Sequence, residues 1–188
     1  MAGRVGLDKR SVVEAAAKMA DERGLQRVTL SALADSLDVR TPSLYHYIDG
    51  SEGLRRELAL YGLRGLGMGL QWAAVGKETD AAVEAMFLSY RAFAREHPGV
   101  YEVTLRAPDP LDEELRSASQ RVVDTVLAVL EPYRLSPDDA IHVVRSFRAT
   151  AHGFVALEAA GAFGLPLSPE QSYRRLIAVF LNGLRMLE

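Results

Sequence analysis

Apolar residues recur at helical spacing along almost the whole 188-residue chain, and this periodicity restricts the fold more than any other feature. Runs that alternate β-branched and polar residues, as half-buried strands do, are scarce. Ser136-Pro137 and Ser168-Pro169 are strong helix starts, because serine caps a first turn and proline needs no hydrogen-bond partner there. His97-Pro98 and Pro132 mark helix ends. The sequence therefore predicts an all-α protein of about nine helices.

Composition excludes several kinds of site. The chain contains no cysteine, which excludes disulfides, thiolate metal ligands and a cysteine nucleophile and is compatible with a reducing cytoplasm. Asp139 and His142 could share a helix face, but no second pair completes a metal site, and no catalytic motif is present. The most apolar stretch, residues 149–167, contains His152, Glu158 and three glycines. We therefore expect a cytoplasmic protein that is not an enzyme, with no metal, cofactor, signal peptide or membrane span.

Residues 29–58 predict two short helices, a tight turn between them, and a long helix after them. Thr29 can cap the first helix by accepting a hydrogen bond from a backbone N–H of its first turn. The apolar stripe of this helix is Leu30, Leu33, Ala34 and Leu37. Pro42 suits the first turn of the second helix, which should begin near Thr41. This is the layout of a helix-turn-helix.

The second short helix has two different faces. Leu44, Tyr45 and Ile48 should point inward. The residues left outside carry cationic or hydrogen-bonding side chains: Arg40, Thr41, Ser43 and His46. Such a face fits the major groove of DNA, although many small helical hairpins have no nucleic-acid role.

A more specific pattern runs through the same residues. It consists of a threonine-started helix, a leucine-alanine pair, a turn with valine, a Leu-Tyr-x-Tyr run and a leucine-rich helix. Here these are Thr29, Leu33-Ala34, Val39, Leu44-Tyr45-His46-Tyr47 and Leu54. The pattern resembles the N-terminal domain of TetR-family transcriptional repressors over about the first 60 residues, with an upstream helix from about Asp8 to Arg23 that Gly24 should end. Asp38 stands where the family often has glycine, and Ser51 stands where it commonly has a phosphate-binding lysine.

The resemblance implies a helix-turn-helix DNA-binding domain over residues 1–50 and a ligand-binding and dimerisation domain over residues 51–188. It also implies a homodimeric repressor that binds a near-palindromic operator in double-stranded DNA and is released by a small apolar or amphipathic ligand. The expected DNA-binding residues are Thr29, Arg40, Thr41, Pro42, Ser43, Tyr45, His46, Tyr47 and Ser51. Residues 1–64 contain 10 basic and 9 acidic residues, so a helical small-molecule-binding protein that has lost DNA affinity stays an alternative.

The C-terminal half carries a narrower likeness. HPGVY at His97 to Tyr101 and AHGFVALEAAGAFG at Ala151 to Gly164 resemble a TetR subgroup named for a Trp-His-Gly motif, with Ala151 in place of the tryptophan. The last helix has apolar residues on more than one face, which predicts a partner. The resemblance implies a dimer in which the last two helices of each subunit form a four-helix bundle.

A ligand pocket is expected among the middle helices. Its candidate lining residues are Trp72, Phe87, Tyr90, Phe93, Tyr101, Arg145 and His152, although residues of these types are individually more often plain core. Arg145 and His152 fall in a helix that should be largely buried, so each needs a partner, either a ligand or an internal carboxylate such as Glu158 or Glu102.

Four glycines interrupt the long helix that follows the two short helices of the helix-turn-helix. They are Gly62, Gly65, Gly67 and Gly69, and each costs about 1 kcal/mol relative to alanine inside a helix. Close packing against a neighbouring helix, an early helix end, and a segment that changes shape between functional states are all open explanations.

Overall fold

The computed structural model describes residues 7–187, and within them the chain forms nine α-helices, two short 3₁₀ turns and no strand. The helices are α1 Lys9–Arg23, α2 Leu30–Ser36, α3 Thr41–Leu44, α4 Gly50–Ala74, α5 Thr79–Glu96, α6 Pro98–Val103, α7 Glu113–Leu130, α8 Pro137–Ala159 and α9 Pro169–Arg185. The 3₁₀ turns are Leu25–Arg27 and Glu131–Tyr133. The all-α class and the helix number are confirmed. Residues 1–6 and residue 188, the outer ends of the two predicted domains, lie outside the described residues.

Local capping explains where several helices begin and end. The Thr29 hydroxyl accepts a hydrogen bond from the Ala32 N–H at 3.1 Å, and the Ser136 hydroxyl accepts one from the Asp139 N–H at 3.2 Å. Gly24 ends α1 with a φ of 85°, a conformation that costs glycine little. Ser168 precedes α9 as expected, but its side chain makes no capping hydrogen bond.

The described residues form two compact units. The head unit runs up to Arg64 and also contains Glu96–Ala118, and the body unit contains Gly65–Arg95 and the described chain from Ser119 onward. The largest fully buried side chains of the head unit are Val12, Leu33, Leu44, Leu54, Leu58, Leu60 and Val100. Those of the body unit are Leu70, Met86, Phe87, Tyr173 and Ile177. The head unit therefore includes α6 and the start of α7 besides the N-terminal helices.

Close packing accounts for the tightest of the α4 glycines. A Cβ atom at Gly62 would lie 2.7 Å from Thr104 Cγ2 and 2.9 Å from Val100 Cγ1, and one at Gly65 would lie 3.1 Å from Phe93 Cε2. A larger residue at Gly62 would overlap Thr104 and Val100, and one at Gly65 would require the Phe93 ring to shift by a few tenths of an ångström. The helix does not end early, because it continues to Ala74. A change of shape in this segment stays a prediction.

Candidate nucleic-acid interface

The turn between α2 and α3 is fixed by backbone geometry. Asp38 adopts a φ of 53°, in the left-handed region, and the Val39 N–H donates to the Ala34 carbonyl at 3.0 Å. Aspartate tolerates this region better than most residues other than glycine, which explains how Asp38 replaces the glycine that is common in the TetR family. Ala34 is 1% exposed, so its small side chain permits the close packing of the two helices.

The second helix of the helix-turn-helix, α3, which we call the reading helix, is shorter than the spacing of apolar residues in the sequence predicts. α3 ends at Leu44, and the N–H groups of Tyr47 and Ile48 both donate to the Leu44 carbonyl in the turn that follows. Leu44 and Ile48 are buried as predicted. The prediction that Tyr45 points inward is wrong, since 59% of Tyr45 is exposed. The helical stripe that placed Tyr45 in the core does not continue beyond Leu44, whose side chain already fills the core position.

All nine residues predicted to contact DNA lie on the surface of the head unit. The exposed ones are Thr29, Arg40, Pro42, Tyr45, His46 and Ser51. The half-buried ones are Thr41, Ser43 and Tyr47. Together they present one guanidinium group, hydroxyl groups and an imidazole, which can bond to base edges and to phosphates. Whether they bind DNA stays a prediction.

A contact between α1 and α6 was not foreseen from the sequence. The Asp21 carboxylate accepts hydrogen bonds from the Gly99 N–H at 3.0 Å and the Val100 N–H at 2.9 Å, and its other oxygen lies 2.9 Å from His97 Nδ1. Gly99 packs so closely on α1 that a Cβ atom there would lie 2.1 Å from the Ala20 carbonyl oxygen. We call this contact the α1–α6 latch. Its only sequence signal is the HPGVY run, and nothing local singles out Asp21.

An ion cluster joins α4 to the start of α7. The Arg56 guanidinium donates to both oxygens of Asp112, at 2.5 and 2.8 Å, and to Glu114 at 2.9 Å. These hydrogen bonds raise the pKa of Arg56 and lower the pKa values of Asp112 and Glu114. The cluster fixes the segment that follows α6 against α4.

The residues predicted to line a ligand pocket are not all brought together. Phe87 and Tyr90 are buried in the body unit, where Phe87 packs on Phe147 and Phe180 with ring centroids 4.4 and 4.9 Å apart. The cavity beside these rings holds about 10 Å³, far less than the 300–1,000 Å³ or so that small-molecule sites occupy. These rings therefore pack as a core.

The remaining predicted pocket residues are scattered. Phe93 and His152 are half-buried in the body unit, while Tyr101 is buried in the head unit. Trp72 is 72% exposed. The prediction that Arg145 is buried is wrong, because it lies on the exposed side of α8. Contact of these residues with a ligand stays a prediction.

The buried cation of the body unit is Arg91 of α5, which the sequence analysis did not single out. It donates to both oxygens of Glu158, at 2.9 and 2.6 Å, and to Glu170. Its guanidinium carbon lies 5.0 Å from the centre of the Tyr173 ring and 5.7 Å from that of Phe154. Glu158 and Glu170 are therefore both partners of Arg91, and the hydrogen bonds from Arg91 lower the pKa values of both carboxyl groups.

Apolar side chains on α8 and α9 are left uncovered in the single chain. Ile141 and Leu157 of α8 are exposed, as is Val179 of α9, at 72%. A Cβ atom at Gly153 or Gly183 would meet no atom within 4 Å, so the backbone is accessible at both places. Leu157 lies about one turn from Gly153 and Val179 about one turn from Gly183, so each helix has a second face able to pack against another helix, whereas Ile141 lies about 160° from Leu157 around α8.

Residues 7–187 include no helix that is long and apolar enough to cross a bilayer. In the same range, no group of three or more histidine, aspartate or glutamate residues is arranged to hold a metal ion.

Comparison with known proteins matches both halves of the chain. Residues 12–68 match the family of bacterial regulatory proteins called tetR, and residues 83–180 match the tetracyclin repressor-like C-terminal domain. The chain is 36% identical to the uncharacterized HTH-type transcriptional regulator YobS of Bacillus subtilis, covering 98% of this chain and 96% of YobS. It is 35% identical to the uncharacterized HTH-type transcriptional regulator Rv0681 of Mycobacterium tuberculosis, covering 82% of this chain and 72% of Rv0681. These relatives are named as regulators and not as enzymes.

Solved structures share the fold. A protein of unknown function from Rhodococcus sp. RHA1 has a TM-score of 0.84 at 20% identity, with 98% of this chain and 99% of that chain covered. TetR from Acinetobacter baumannii AYE has a TM-score of 0.73 at 18% identity, with 97% and 98% covered. A variant of that TetR was crystallised in complex with minocycline. The match to the Trp-His-Gly subgroup stays a prediction.

Proposed function

The chain belongs to the TetR family of transcriptional regulators, and on that basis we propose that it is a homodimeric repressor of a near-palindromic operator, released by a small apolar or amphipathic ligand. The observation that carries the proposal is the surface position of all nine predicted DNA-binding residues around a helix-turn-helix. Such a regulator would act in the cytoplasm, where its operator is.

We assign to Arg40 the largest contribution to recognition of the DNA sequence. It is exposed at the N-terminal boundary of α3, where its side chain can reach a guanine edge and donate two hydrogen bonds. Ser51 supplies no charge to phosphate, and residues 1–64 are nearly neutral, so general electrostatic attraction contributes less than in a basic DNA-binding domain.

Fluorescence anisotropy with labelled duplexes from the DNA flanking the gene tests this role. Arg40→Ala should weaken binding to the specific duplex by about 1–3 kcal/mol. Lys18→Ala is the matched control, because it removes one positive charge from an exposed position of α1, outside the reading segment. The control should leave the ratio of specific to non-specific affinity unchanged. If the two substitutions changed that ratio equally, Arg40 would not contribute to recognition of the DNA sequence.

The uncovered faces of α8 and α9 support the homodimer. Two copies that pair these helices would bury Leu157 and Val179, and the open positions at Gly153 and Gly183, each one turn away on the same face, allow close backbone approach. A two-fold dimer carries two reading helices, which explains why the operator should be near-palindromic with half-sites about one turn apart. Light scattering at micromolar concentration should give twice the chain mass, and a monomer would refute the dimer.

The packed rings of Phe87, Phe147 and Phe180, which we call the aromatic cluster, leave no room for a ligand in the present structure. A ligand that releases the operator could bind among them only if the helices that carry them separate. A ligand that binds the opened state about 100-fold better than the packed state would shift the equilibrium by about 2.7 kcal/mol. The predicted contacts within the body unit are Trp72, Phe87, Tyr90, Phe93, Arg145 and His152. The near-neutral charge of residues 1–64 favours one other candidate, a binding protein without DNA affinity, and a gel shift with the flanking DNA separates the two.

A further inference from the structure

The head unit contains a cleft of about 1,030 Å³, which we call the head cleft. Residues 52–63 of α4 line one side, and the segment from Glu102 to Asp112 lines the other. Tyr47, Ile48 and Asp49, which directly follow the reading helix, also line it. Its volume is at the upper end of the range of about 300–1,000 Å³ for small-molecule sites.

Part of the head cleft is apolar. Leu25, Ile48, Ala59 and Leu63 line it, and each is at most 9% exposed. Leu115, which is half-buried, adds a further aliphatic side chain. These residues form a surface against which an apolar or aromatic body can lose its contact with water.

The ionisable residues of the head cleft are mainly acidic. Six carboxylates and four cationic side chains line it. Two of the cations are held internally, since Lys9 pairs with Glu57 at 2.7 Å and Arg56 pairs with Asp112. The lining residues outside these two pairs are four carboxylates, at Asp49, Glu52, Glu102 and Asp109, and two arginines, at Arg55 and Arg106.

We propose that the head cleft binds an amphipathic cation, with an apolar or aromatic body on the aliphatic surface and a positive charge beside the exposed carboxylates. The excess of carboxylates attracts a cation and repels an anion of the same shape. The site is separate from the aromatic cluster of the body unit. If the chain represses transcription as proposed, an occupant would touch α4 and the residues after the reading helix, and so could alter operator binding.

The test compares two dyes with related ring systems and opposite charges. Tetramethylrosamine is a cation and fluorescein is an anion, and fluorescence polarisation measures the binding of each to the full chain without DNA. Tetramethylrosamine should bind and fluorescein should not. The test is independent of DNA binding, so its failure and the failure of the proposed repressor function are distinguishable.

Two variants locate the bound dye. Glu102→Gln combined with Asp109→Asn removes two exposed carboxylates from the head cleft and should raise the dissociation constant of tetramethylrosamine about tenfold. The matched control is Glu22→Gln combined with Asp35→Asn, at exposed positions that do not line the cleft. It should leave the dissociation constant of tetramethylrosamine unchanged.

The second variant, Ala107→Trp, fills the head cleft from an exposed loop position and should abolish dye binding while the circular dichroism spectrum stays the same. Equal binding of the two dyes would overturn the proposal. So would cation binding that persists at wild-type strength in both cleft variants.

Discussion

Replacing Gly99 by alanine should destabilise the protein although alanine is the better helix former. The added Cβ would lie 2.1 Å from the Ala20 carbonyl oxygen and 2.2 Å from its carbonyl carbon, and real Cβ contacts essentially never fall below 3.0 Å. Both atoms belong to the backbone of α1, so no flexible side chain can move aside. The substitution therefore requires a separation of α1 and α6 of about 0.9 Å.

That separation would also break the α1–α6 latch. The hydrogen bonds from the Gly99 and Val100 N–H groups to Asp21, now 3.0 and 2.9 Å, would lengthen beyond bonding distance. Overpacking costs about 1–3 kcal/mol, and each lost hydrogen bond to a charged group costs about 1.5–3 kcal/mol. Alanine returns at most about 1 kcal/mol of helix propensity. With partial relaxation, we expect a net loss of about 2 kcal/mol or more.

Urea denaturation followed by circular dichroism at 222 nm measures this loss. A loss of about 2 kcal/mol should lower the midpoint by about 1 M, given a slope of about 2 kcal/mol/M. Gly67→Ala is the matched control, because its Cβ would make an ordinary 3.4 Å contact with Val122 Cγ2 and should stabilise α4 by up to about 1 kcal/mol. A Gly99→Ala protein as stable as the wild type would refute the packing argument.

Three further predictions concern other parts of the molecule. Arg91→Met should leave the half-buried Glu158 without its cation and destabilise the body unit by about 1.5–3 kcal/mol, measured by urea denaturation. Because Arg91 lowers the folded-state pKa of Glu158, the contribution of the ionised pair is present above the ordinary value of 4.5 and is lost as the pH falls through the lowered pKa. Glu158→Gln should therefore weaken the dependence of unfolding on pH below about 4.5, and an unchanged acid dependence would contradict this pairing. Val179→Glu should shift the mass in light scattering from dimer to monomer with the helical content unchanged, and a dimer that persists would exclude the α9 face.

Features that depend on neighbouring residues were predictable from the sequence. Thr29 and Ser136 cap helices because their hydroxyls reach N–H groups three residues ahead, and Gly24 ends α1 because it tolerates a positive φ. The position of Tyr45 was not predictable in this way. Helical spacing placed it in the core, but α3 stops after one turn, and this end depends on how the chain packs after Leu44.

Features that depend on distant residues gave no local signal. Asp21 and Gly99 meet across 78 positions of the chain, and Arg91 and Glu158 meet across 67. Charged residues are common on helices, so the sequence does not reveal which of them will be buried together. The head cleft could not be predicted from the sequence either, because the residues that line it belong to segments that are distant along the chain.

Selection from a pool of random DNA duplexes shows directly whether the protein recognises a near-palindromic DNA sequence. The purified wild-type protein is bound to the pool, and the retained duplexes are sequenced after several rounds. We expect enrichment of a near-palindromic motif with half-site centres about one helical turn apart, and loss of that enrichment in the Arg40→Ala protein. A wild-type protein that retains no DNA, or that retains duplexes without a shared motif, would contradict it.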